Sequence, residues 1–157
     1  MPNGTLSWDI TDMSRVLKVG VDDVRAYFTD GRRVSFLLER RIAYEVVKGR
    51  LAQSEGAGYD LIDSAGKKWE VRSITSSGIY FCPSYMVGSG RQFDEPGFLR
   101  KLEEIEGYIV SDVERFPNIP FWIIHKAIVI GWYKSSQLGA GTKISRSRAL
   151  SLISHLK

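Results

Sequence analysis

The stretch YDLIDSAGKKWEVRSIT, Tyr59 to Thr75, decides how the rest of the chain is read. Two runs containing β-branched and aromatic residues flank Ser64-Ala65-Gly66, which reads as a hairpin turn. With Ser64-Ala65 in a type I turn and Gly66 in the positive-φ bulge position, the loop has three residues. Asp63 then stands opposite Lys67, and Asp60 opposite Glu70. A two-residue loop would shift the register by one and send Asp60 and Glu70 to opposite faces. Directly opposed residues have Cβ atoms roughly 4.5–5.5 Å apart, where two carboxylates repel unless a cation lies between them. Arg72 and Lys68 flank Glu70 at two residues' distance and share its face. Asp63 and Lys67 read as a solvated pair worth little. Taken alone, the hairpin also fits a solvated charged surface.

The preceding segment is what sets it apart. VSFLLERRIAYEVVK, Val34 to Lys48, predicts a helix with Ser35 as N-cap and Gly49 as stop. At about 100° per residue, Leu38, Ile42, Val46, Ala43, Phe36 and Val47 form a broad apolar arc. Glu39 falls inside that arc, whereas Arg40, Arg41, Glu45 and Lys48 fall outside it. A carboxylate on a buried face needs a partner or a metal. At the edge of the arc, an arginine neighbour would be enough.

The remaining chain frames these segments. TDMSRVLKV and VDDVRAYF suggest short helices, so residues 1–33 form an N-terminal helical region. SSGIYFCPSYMVGSGRQ suggests one strand and polar loops, with either Tyr80 or Phe81 in the core. DEPGFLRKLEEIEGYIVSDVERF predicts a long helix striped by Phe98, Leu102, Ile105, Ile109 and Val113. FWIIHKAIVIGWY predicts one long strand, or two joined near His125-Lys126. ISRSRALSLISHLK predicts a final helix within a tail at 139–157. The order predicts one mixed α/β domain.

Composition sets outer limits. The chain has 157 residues, 22 Lys and Arg against 18 Asp and Glu, and a formal charge of +4, a mild hint of a polyanionic partner. Cys82 is the only cysteine, which excludes an internal disulfide and a thiolate zinc site and points to a reducing cytoplasm. The N-terminus lacks the pattern of a signal peptide, and IPFWIIHKAIVIGWY is too short to span a bilayer, so a soluble protein is expected. His125 in an apolar run and His155 near the end read as ordinary core, edge or surface residues. Two histidines without a nucleophile pattern do not suggest a hydrolase triad. The glycines of GAGTK do not have phosphate-loop spacing.

With Glu39, Asp60, Glu70 and Arg72 in place, the sequence resembles the PD-(D/E)XK nuclease superfamily, and most of all small type II restriction endonucleases. The resemblance rests on Asp60, nine residues, then Glu70-Val71-Arg72, across a glycine turn. IPFWIIHKAIVIGWYKSSQL is similar to the late strand pair of such enzymes, so the resemblance covers residues 34–138 as a nuclease core. It departs from the family pattern at Tyr59, where proline is common, and at Arg72, where lysine is usual. Arginine stays protonated, so Arg72 could orient water or offset phosphate charge but could not act as a base.

The resemblance implies a restriction-endonuclease-like α/β fold, a mixed β-sheet flanked by α-helices. It implies Mg²⁺-dependent hydrolysis of phosphodiester bonds in double-stranded DNA by a homodimer. Asp60, Glu70 and the carbonyl of Val71 would hold Mg²⁺. Arg72 would position water, and Glu39 would hold metal-bound water from behind. Ser76, Ser77, Tyr80, Ser84, Tyr85, Arg91, Gln92 and Lys68 would contact DNA, although each singly fits an ordinary polar loop. Arg32, Arg33, Lys143, Arg146 and Arg148 are further phosphate candidates. A catalytically inactive DNA-binding relative and a structure-selective repair nuclease are the alternatives.

Overall fold

The computed structural model describes residues 1–54 and 56–156. β1 (Gly4–Ser7) is followed by α1 (Ile10–Leu17), α2 (Val21–Thr29) and α3 (Gly31–Arg41). Then come β2 (Arg50–Leu51), β3 (Leu61–Ile62), β4 (Lys68–Ile74) and β5 (Ile79–Tyr80). α4 (Glu95–Glu104), β6 (Gly107–Asp112), β7 (Asn118–His125), α5 (Lys126–Lys134), β8 (Lys143–Ile144) and α6 (Arg146–Ser154) complete the chain. The main sheet has the order β1-β7-β6-β4-β3-β2, and β5 pairs with β8 in a separate two-stranded sheet. Among the described residues only β4 and β6 run parallel, so the connection between them has to cross over the sheet, and α4 lies within it.

The hairpin register is the expected one. Leu61 pairs with Trp69 and Ile62 with Lys68, and Asp63 N donates to Lys67 O at 2.9 Å. Gly66 has φ +83°, as the bulged three-residue loop requires. Asp60 lies just before β3, outside the regular ladder, with its N–H donating to Trp69 O at 3.0 Å.

The sheet separates two apolar layers, and β6 shows why. All six of its residues are buried. Ile109 packs with Val24, Phe28, Val34 and Leu38 from α2 and α3, whereas Tyr108 and Val110 pack with Phe98, Leu102, Val129 and Leu152 from α4, α5 and α6. A strand covered on both faces reads as a continuous apolar run. That is why Ile109 and Val113 fell onto an apparent helical stripe. The helix predicted to reach Phe116 ends at Glu104, and Gly107 begins a strand. Gly107 pairs with His125, and its Cα faces the Ile124 carbonyl so closely that a side chain there would overlap it.

Two further expectations are corrected. FWIIHKAIVIGWY is half strand and half helix: His125 ends β7 and caps α5, its Nδ1 accepting from Ala127 N at 3.2 Å. α3 starts four residues before Ser35, capped by Asp30, whose Oδ1 accepts from Arg32 N at 2.9 Å and Arg33 N at 3.3 Å. A side-chain oxygen directly before a helix satisfies its free N–H groups. α3 passes into a π-helical turn at Ile42–Val46, and Gly49 then lies against the Ile62 backbone. The short helices α1, α2 and α6 fall where the sequence placed them, while β1, pairing with β7, was not anticipated.

Two glycine substitutions test this packing in opposite directions. Gly107→Ala should destabilise the protein by about 1–3 kcal/mol through overpacking against backbone. Gly131, exposed on α5 with open space beside it, should gain about 0.4–1 kcal/mol on substitution by alanine. Urea unfolding of both variants would check the opposite signs.

Candidate functional site

β2 and β3 are only two residues long, so β4 loses its neighbour on that side beyond Trp69. Its exposed edge would leave the Val71 N–H without a partner, an expensive omission inside a protein. Asp60 supplies the acceptor: Oδ2 lies 2.7 Å from Val71 N. The carboxylate is thereby brought beside the inner end of Glu70.

Glu70 is 5% exposed and sits between two cations. Arg72 Nη1 is 2.7 Å from Oε1, and Lys101 Nζ of α4 is 2.6 Å from Oε2. Oε2 has no hydrogen-bond partner, so its approach to Lys101 is a contact of charge. Arg72 also donates to Val71 O at 3.1 Å and Cys82 O at 3.2 Å and stands over the Tyr80 ring. Burial works against its charge, but the Glu70 and Asp60 carboxylates together outweigh it and hold its pKa above the ordinary value. Arg72 is thus a fixed cation.

The remaining carboxylates respond to the same crowding. Asp60 is raised to about 6, first by burial and then by the Glu70 charge, against the pull of the Val71 N–H, Arg72 and Lys101. Glu39, half-buried on α3, is raised to about 7 by burial and the Asp60 charge. Its place in the apolar arc therefore carries an environment that resists ionisation.

These groups open onto a cleft of about 1250 Å³ between α3, the exposed part of β4 and the loop from Thr75 to Arg91. Glu39, Asp60, Glu70, Val71 and Arg72 all line it. So do Ser76, Ser77, Tyr80, Ser84 and Arg91 of the expected DNA-contact set, with Arg32 and Lys143. The other three members do not line it. Lys68 stands over the Tyr59 ring at 4.9 Å, and Tyr85 and Gln92 are exposed elsewhere on the loop. Arg146 is committed to Asp112, with Nη2 to Oδ2 at 2.6 Å. Arg91 braces its own loop by donating to Ser84 O at 3.1 Å and Val87 O at 3.3 Å.

The loop wall is anchored from behind. Thr142 Oγ1 accepts from Phe81 N at 3.1 Å and Cys82 N at 2.7 Å, and Tyr108 Oη donates to Phe81 O at 2.8 Å. GAGTK is therefore a structural support. Phe81 is the core member of the Tyr80-Phe81 pair.

The donor set can be tested against a divalent ion. Among the described residues, no three carboxylate, imidazole or thiolate groups are gathered closely enough to hold a metal by themselves. Asp60, Glu70 and the Val71 carbonyl nevertheless offer hard oxygen ligands. Mg²⁺ is commonly held by one or two carboxylates, with water and substrate completing its shell. The Val71 carbonyl already accepts from Arg72 but retains a second lone pair. Glu70 Oε2 is a buried oxygen without a hydrogen bond. The residues fit such an ion.

Lys101 was missed by the sequence reading. It lies three residues after Phe98 and four before Ile105, at the edge of the α4 apolar stripe. The test that singled out Glu39, a charge placed against an apolar face, applies to it equally. The overlong helix hid it, because residues of β6 dominated the stripe.

A scan against protein-family models, a search of curated proteins and a search of solved structures each found no match.

Raised carboxylate pKa values fix the sign of a pH effect. The folded chain binds protons more tightly than the unfolded chain where Glu39 moves from 4.5 to about 7, so stability is lost as pH rises through that window. Glu39→Gln should flatten this part of the profile in metal-free buffer. Thermal unfolding at a series of pH values would check it, and an unchanged slope would contradict the assigned environment.

Proposed function

We propose that the protein is a Mg²⁺-dependent endonuclease acting on double-stranded DNA, with a restriction-endonuclease-like core. The supporting observation is the Asp60 and Glu70 carboxylates, side by side with Arg72 in a cleft bordered by Arg32, Arg91 and Lys143. The element order agrees with the reading: a helix before the hairpin, then a crossover helix and an antiparallel strand pair.

Each side chain has a defined task in this reading. Asp60, Glu70 and the Val71 carbonyl would hold the ion, which when bound would supply polarisation of the phosphate and activation of water. Asp60 is kept in place by Val71 N, and Glu70 by Arg72 and Lys101. Arg72 remains protonated and offsets charge developing on the phosphate, an electrostatic contribution rather than proton transfer. Glu39, half-buried at the cleft wall, would hold water beside the ion from the α3 side. Arg32 and Lys143, with the loop serines, receive the DNA backbone. A chain of this size does not readily enclose a duplex, so two copies related by a two-fold axis would act together.

One observation favours a second reading, a catalytically silent DNA-binding relative. Glu70 is already neutralised by two neighbouring cations, which opposes entry of a third. Incubating purified protein with plasmid and Mg²⁺ separates the readings. Discrete bands support a sequence-specific enzyme, a smear a non-specific one, and binding without cutting the silent relative.

Asp60→Asn and Glu70→Gln should abolish Mg²⁺-dependent cleavage while leaving the circular dichroism spectrum intact. Amides are preferred to alanine because they keep the side-chain volume and one acceptor oxygen toward Arg72 and Lys101; either change removes the charge those cations face, at a cost of about 3–5 kcal/mol. Full cleavage by both variants would refute the site. For DNA contacts, Lys143→Ala or Arg32→Ala should each reduce the slope of log affinity against log salt by about one. Binding measured in Ca²⁺ across salt concentrations provides the check.

A further inference from the structure

We infer that Lys101 is a built-in counter-ion of the site, occupying Glu70 until a divalent ion displaces it. The inference rests on the reading of Asp60 and Glu70 as ion ligands. Three observations support it.

Lys101 is deeply placed and doubly engaged. Its side chain is 10% exposed, with Nζ 2.6 Å from Glu70 Oε2. Nζ also donates to the carbonyl of Gly58, two residues before Asp60. One ammonium thus joins the segment carrying Asp60 to the strand carrying Glu70 and sets their spacing. Gly58 has φ +82°, a conformation that glycine adopts without strain.

The contact is also replaceable. Glu70 Oε2 lies close to Nζ but outside hydrogen-bond alignment, so attraction of charge, not a directional bond, holds them together. A cation entering from the cleft competes with Lys101 for the Glu70 charge. An ammonium tethered by four methylenes has the freedom to withdraw, and Gly58 O remains as its partner.

Finally, Lys101 approaches from behind. It does not line the cleft, whereas Arg72 does. The packing of Phe98 and Leu102, 0% and 1% exposed, fixes the rotation of α4 and holds Lys101 on the core side of Glu70. Lys101 is therefore a positioning residue that acts through Glu70 and does not touch substrate.

Metal binding without DNA tests this. Wild type, Lys101→Met, Lys101→Gln and Lys101→Arg are titrated with Mn²⁺ by calorimetry, and thermal unfolding is measured with EDTA and with Mn²⁺. A counter-ion predicts that the two neutral variants unfold at lower temperature in EDTA and bind Mn²⁺ at least about threefold more tightly, since a repelling charge has gone. Their gain in melting temperature on adding Mn²⁺ should exceed that of wild type, and Lys101→Arg should resemble wild type. Should the methionine variant not fold, the glutamine and arginine variants provide the same comparison. Unchanged or weaker Mn²⁺ binding in the neutral variants, with wild type still binding, would overturn the role of Lys101 alone. Absence of binding in every protein would overturn the ion site and this inference together. Binding by the neutral variants but not by wild type would support the counter-ion in its strongest form.

Discussion

A negative charge buried on the central strand is the constraint from which the site follows. Glu70 is 5% exposed, and an isolated ionised carboxylate at such depth is too costly to keep. The chain meets that cost with one cation from the same strand and one from the crossover helix. Arg72 must therefore share the face of Glu70, which the two-residue period of β4 provides. α4 must present Lys101 inward while Phe98 and Leu102 fill the apolar layer beneath. The helix rotation that serves the core also serves the ion pair, so packing and electrostatics here are one requirement.

The second constraint is the short reach of β3. Had it continued, its backbone would have satisfied Val71 and closed the cleft. Because it does not, a side chain takes the place of a backbone acceptor, and Asp60 is drawn next to Glu70. Two carboxylates that repel are held together by a hydrogen bond at one and two cations at the other. Both raised pKa values, about 6 at Asp60 and about 7 at Glu39, come first from burial and then from a neighbouring carboxylate charge. Stability has been given up locally, the pattern expected where geometry is maintained for a purpose other than folding.

The sequence was most legible where local chemistry acts alone. Gly66 determined the turn and the turn determined the register of Leu61 and Ile62, while Asp60, one residue beyond that ladder, is placed by its bond to Val71 N. Glu39 was found because a carboxylate among Leu38, Ile42 and Val46 is out of place. Legibility failed where tertiary burial produces the same pattern as helical periodicity. Tyr108, Ile109 and Val110 form an apolar run because both faces of β6 are covered, yet Ile109 and Val113 continued the stripe of α4. His125 looked like the middle of a strand because a capping histidine and a core histidine leave the same trace in an apolar run. Lys101 was hidden for a related reason, since its partner lies on another element and no local spacing connects them.

The choice of arginine at position 72 is explained by what its side chain reaches. The planar guanidinium reaches both carbonyls and Glu70 at once. Arginine at this position therefore suits bracing the strand against the loop, and its permanent charge faces the cleft. A compact, displaceable ammonium is present as well, but on the opposite side of Glu70. A fixed charge toward the cleft and a flexible charge on the carboxylate are here divided between Arg72 and Lys101.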